Sequence, residues 1–124
     1  MAQQIALTVQ SSVTIGSWKD TFAPGQQTIT ITNAQAHCPI VVVGTSEEDL
    51  SLGDITSGNE GYIILQNLDQ TNYVTYGPKS GGSMIAFGKI KPGEIAILRL
   101  KPSVTMRWQA DTAAVSVGVR AYAN

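Results

Sequence analysis

His37 and Cys38 stand side by side, and a thiol next to an imidazole is the pairing from which cysteine nucleophiles are built. Neighbouring residues of an extended chain point to opposite faces, so the two side chains are badly placed to share a proton. His37 is the only histidine and Cys38 the only cysteine. A triad needs nucleophile, base and orienting acid together, and this pair does not begin one. His37 is expected as a loop or strand-edge residue and Cys38 as a small buried hydrophobe.

Glu47, Glu48, Asp49 and Asp54 gather the carboxylates that hard cations prefer, but their spacing does not fit an EF-hand loop and consecutive side chains rarely converge on one ion. A solvated acidic loop is expected, with no metal. The stretch KSGGSM at 79–84 sets glycines beside a lysine without the G-x-x-x-x-G-K-S/T order that cradles phosphate, which predicts a hairpin loop and no cofactor. Trp18, Tyr62, Tyr73, Tyr76, Trp108 and Tyr122 could stack on sugar rings. A carbohydrate-binding module used in adsorption is therefore an alternative, and its mark would be glycan binding abolished by changing an exposed Tyr73 or Tyr76 to Ala. Nothing assembles these residues into a catalytic set, so a non-enzymatic protein is expected.

The elements that position them are strands. Period-two alternation and β-branched residues recur along the chain between Gly, Pro, Asn and Asp, and helical periodicity is almost absent. In QTITITN, Ile29 and Ile31 face one way and Thr28, Thr30 and Thr32 the other. Val104, Met106 and Trp108 form a second inward set, and Val115, Val117 and Val119 a third. APGQ and KPGE place Pro then Gly at the centre of type II turns. Strands are predicted near 3–9, 12–18, 26–33, 39–44, 61–67, 72–77, 84–90, 94–101, 104–109 and 113–122. Thr45 and Glu48 have capping-box spacing, which allows one helical turn or a surface loop. The fold class is all-β: an antiparallel β-sandwich, jelly-roll or Ig-like, or a small barrel of about eight to ten short strands.

The chain of 124 residues reads as a single domain over 1–124, with 1–40 as the segment that could include an arm packed on a neighbouring subunit. Hydrophobic residues make up 43% and charged residues 14%. The latter is well below the usual share, so charge protects little of the surface. Eight basic and nine acidic residues provide no field for phosphates, so neither nucleic acid nor membrane is an expected partner. The start AQQIALTVQ lacks the basic and long apolar parts of a signal peptide, and synthesis in a cytoplasm is expected.

Two strands have no polar face. Tyr62 and Ile64 lie opposite Ile63 and Leu65, and Ile95 and Ile97 lie opposite Ala96, Leu98 and Leu100. A two-layer sandwich buries only one face of each sheet, so the second must meet a loop, an N-terminal segment or another subunit. The candidate subunit interface is Tyr62, Ile63, Leu65, Tyr73, Tyr76, Ala96 and Leu98. Five acids fall between 47 and 60 and five bases between 89 and 107. On opposite flanks they would favour head-to-tail association; as neighbours in one molecule they would pair internally.

VGTSEEDLSLGDITSGNEGYIILQNLDQTNYVTYG, KPGEIAILRLKP and ADTAAV, spread over 43–115, resemble segments of small virion structural proteins of tailed bacteriophages. The resemblance implies a β-sandwich component of the particle. Capsid decoration or cement, binding the phage major capsid protein, is the leading assignment, and a tail, neck or baseplate component the next. It implies a homo-oligomer, with a trimer favoured, located in the virion and assembled in the host cytoplasm. It brings no catalytic or ligand-binding residues; Asn67 and Asp69 suit a hairpin loop, Gly53 and Gly77 backbone bends.

Overall fold

Pro24-Gly25 and Pro92-Gly93 turn the chain where expected, with φ of 85° at Gly25 and 80° at Gly93, the left-handed values that a type II turn needs at its third position. Lys91 and Glu94 close the second turn: the Glu94 amide donates to the Lys91 carbonyl at 3.0 Å, and the Lys91 amide donates to Oε1 of Glu94 at 2.7 Å. The computed structural model describes residues 3–124, which form strands and no helix. Its antiparallel sheets agree with the all-β expectation. The expectation of one domain with 1–40 as a possible arm meets a chain whose contacts form two compact units, Met1–Ala34 and Gln35–Asn124.

The first unit is a two-stranded ribbon in two sections. β1 (Gln4–Thr8) pairs with β4 (Gln26–Thr30), and β2 (Ser11–Ile15) pairs with β3 (Trp18–Phe22). The predicted strand 12–18 is corrected here: a two-residue turn at Gly16-Ser17 divides it, and Ile15 pairs with Trp18 across the turn. None of the described residues of this unit is buried.

The second unit holds a core between two sheets. Its strands are β5 (Ala36–His37), β6 (Ile40–Val43), β7 (Glu48–Asp49), β8 (Glu60–Asn67), β9 (Val74–Ser80), β10 (Ser83–Met84), β11 (Gly88–Ile90), β12 (Ile95–Arg99), β13 (Met106–Ala110) and β14 (Val115–Ala123). One sheet runs β12-β8-β14, with β5 and β6 along the far edge of β14. The other runs β9-β13-β7, with β10 and β11 along the far edge of β9. The Ala110 amide donates to the Gly44 carbonyl at 2.8 Å, so the chain passes from one sheet to the other beside β13. The opposite side stays open: β11 pairs only with β9, and β12 only with β8.

The inward residues are those with unambiguous alternation. Val115, Val117 and Val119 are buried, as is Trp108, with Met106 packed against the core. Thr45 starts no helical turn. Instead, the Glu48 carboxylate accepts the Gly44 amide at 3.1 Å and β7 follows directly.

Candidate interaction surface

Each predicted site residue has a definite place. The His37 ring, half-buried on edge strand β5, packs over the backbone of Gly53. Cys38 is exposed, which corrects the expectation of a buried hydrophobe. β5 ends at His37, and the next inward position beside β14 is taken by Pro39, whose carbonyl accepts the Val119 amide at 2.9 Å.

The acidic segment folds beside basic β13. Arg107 Nε donates to Asp49 Oδ1 at 2.8 Å, and its Nη1 lies 3.5 Å from Glu47 Oε1. The Arg107 hydrogen bond, more than its charge alone, holds the Asp49 carboxyl below the usual value, and the same contact raises Arg107. Of the basic cluster, Arg107 thus pairs within the molecule with two of the acids, Glu47 and Asp49. Among the described residues no group of three His, Cys, Asp or Glu side chains could hold a metal ion.

The aromatic pair proposed for sugar stacking is divided. Tyr76 is buried at 7% exposure. Tyr73 is half-buried with Lys89 Nζ 3.9 Å from its ring centre, and its hydroxyl is held protonated to higher pH, first by the charge of Asp111 and then by a hydrogen bond to it.

The expected interface needs a larger correction. Ile63 and Leu65 are each 1% exposed, inside the core, and Ala96 and Leu98 pack against it. The register fixes this: Leu65 lies between Ala96 and Val119, and Ile63 between Leu98 and Ala121, all turned toward the second sheet. The surplus apolar face is therefore the other one. Ile97 and Arg120 flank Ile64 in one row, while Ile95, Gln66, Gly118 and Ile40 form the next. Ile40, Val42, Ile95 and Ile97 expose 71%, 64%, 57% and 38% of their surface. Of the predicted set only Tyr62 belongs to this face, beneath the Arg99 guanidinium at 4.7 Å.

Gly118 lets this face sink at its centre. With no side chain there, Ile40, Ile64, Leu68 and Ile95 surround a shallow depression of about 450 Å³. The outward face of the other sheet is different in kind. It presents Thr75, Lys89, Arg107, Gln109 and Asp49, and Gln109 Nε2 also donates to the Thr45 carbonyl at 2.7 Å. One outer face is polar and partly paired internally; the other is largely apolar, with Arg99, Gln66 and Arg120 among its outward residues. Arg99 and Gln66 carried the signal that sequence reasoning missed, since each marks its side of β12 or β8 as the outward one.

Asn67 is also more than a loop residue. It is 1% exposed, and its Nδ2 donates to the carbonyls of Asn72 and Ile90 at 2.9 and 3.0 Å while its Oδ1 accepts the Asp69 amide at 2.8 Å. It ties the end of β8 to the loop before β9 and to β11.

No family model, curated protein or solved structure matches the chain.

Proposed function

We propose that this chain is a non-enzymatic structural subunit of a tailed-bacteriophage virion: a capsid decoration or cement protein that associates with copies of itself and seats on the head shell. One observation carries the structural part. The β12-β8-β14 sheet has its second face lined by Ile40, Val42, Ile95 and Ile97, whereas the outward face of the other sheet is polar. A contiguous apolar face on a chain with 14% charged residues favours a protein that works in contact with others. The resemblance over 43–115 supports the phage particle as the place of that contact, the major capsid protein as the shell partner, and a trimer as the favoured assembly.

The test is mass and binding together. Sedimentation equilibrium of the purified chain is expected to give a definite oligomer, and the chain is expected to co-sediment with expanded heads of its phage. A chain that stays monomeric at high micromolar concentration and leaves heads unbound would overturn the reading.

A further inference from the structure

The N-terminal ribbon has the same problem as the sheet face, in complementary form. In β2–β3, cross-strand partners share a face, so Val13, Ile15, Trp18 and Phe22 lie on one side, and Thr14, Ser12, Lys19 and Thr21 on the other. The apolar side is open: Ile15, Trp18 and Phe22 expose 66%, 57% and 56%. A two-stranded ribbon with no buried residue is marginal by itself in water. It needs a dry surface to lie on.

Charge narrows the choice of surface. Asp20, paired with Val13, is the one charge on the ribbon's apolar side and the only acid in residues 1–34. The outward positions of β12, β8, β14 and β6 carry Arg99 and Arg120 and no carboxylate. Arg99 is engaged with Tyr62 and Asn124, while Arg120 is exposed beside Ile64. Ribbon against ribbon would set Asp20 near Asp20 and leave the sheet bare. Ribbon against sheet covers both apolar surfaces in one-to-one ratio and brings Asp20 to an arginine.

Resting on the self-association just proposed, we infer that the apolar side of the β2–β3 ribbon of one copy docks on the outward β12-β8-β14-β6 face of a second copy, with Asp20 meeting Arg120. The contact is heterologous, ribbon to sheet, the type that gives a ring where its rotation closes.

Charge reversal tests it on the full chain. Asp20→Arg and Arg120→Asp should each weaken association by roughly tenfold or more, and the double variant should regain it. In an equimolar mixture of the two single variants a reversed ribbon finds a reversed sheet on another copy, so the unlike variants should associate, through every contact of an even-numbered ring and through two of the three in a trimer. Trp18 gives a second readout: assembly should shield it from iodide quenching, while Trp108, 2% exposed, reports that each variant is folded. Rescue in the double variant with no association between the two unlike variants in the mixture would place the contact within one chain and overturn the inference. Association unaffected by either reversal would overturn the ribbon contact and leave self-association standing. A monomer that binds no heads would remove both.

Discussion

Ile40 and Ile95 can be replaced together by serine without touching the core, which makes them the sharpest test of the outward sheet face. They still expose 71% and 57% of their surface. Burying an isoleucine side chain fully is worth about 1.5–3 kcal/mol, so covering what remains bare contributes roughly 3 kcal/mol for the pair. Losing it should weaken association about a hundredfold. The fold itself should lose little, at most about 1 kcal/mol per site from strand preference. Ile63→Ala is the control. Ile63 is 1% exposed, and the cavity it would leave costs roughly 2–5 kcal/mol of folding stability.

The two effects separate in two assays. A dilution series in the analytical ultracentrifuge reads the dissociation constant, and a melt followed by circular dichroism, run at concentrations below that constant so that assembly adds no stability, reads the fold. I40S/I95S should move the first and spare the second; I63A should lower the melting temperature outright. If I40S/I95S associates within about threefold of the parent at equal stability, the transfer arithmetic fails, and the outward face is not what holds copies together.

Asn67→Ala would strand the carbonyls of Asn72 and Ile90 and the amide of Asp69; a loss of roughly 3 kcal/mol is expected, read as a shifted urea midpoint with unchanged slope. In Gly77→Ala the new methyl would overlap the Ile85 carbonyl, so β9 could not keep its place and roughly 3 kcal/mol or more should be lost, visible as a lowered melting temperature. Acid should weaken the fold through Asp69 and Asp49. The amides of Asn72 and Thr71 hold Asp69 below its ordinary value, and the Arg107 hydrogen bond does the same for Asp49. A folded-state pKa below the unfolded one gives stability that is present above the ordinary value of 3.8 and lost as pH falls through the folded value. Urea titrations across that range should show the slope, and Asp69→Asn should flatten it.

Much of the fold could be read wherever one strand face was plainly polar. β14 alternates Val115, Val117 and Val119 with Ser116, Gly118 and Arg120, and all three valines are buried. The Pro-Gly turns were legible because their geometry is local. β8 was not, since Ile63, Ile64 and Leu65 suit either side, and only pairing with β12 and β14 chooses. That both faces of β8 and β12 are apolar was legible in the strand pattern, but which face turns outward depended on register, a non-local quantity. The Gly16-Ser17 turn was hidden for a similar reason: Ile15 and Trp18 look like one continuous apolar strand until they pair across it. Asn67 looked like a loop residue because its donors and acceptors find partners as far away as Ile90.

The placement of scarce charge joins these points. Only Lys19 and Asp20 of the charged residues fall in 1–34, so the ribbon gains little from staying in water. In the second unit Arg107 pairs with Glu47 and Asp49 on the polar sheet; such exposed pairs add little stability, and the exposed Lys89 on the same face lies over the Tyr73 ring. The carboxylate of Glu60 is turned inward to the amides of Gly58 and Ser103 at 2.8 and 3.2 Å. Exposed apolar surface remains on the ribbon and on one sheet, with Asp20 and Arg120 among the charges there, and also at Ile85 and Phe87 beside β9. Association by such surfaces is driven by removing them from water, and the charge pair acts chiefly to choose the register in which they meet.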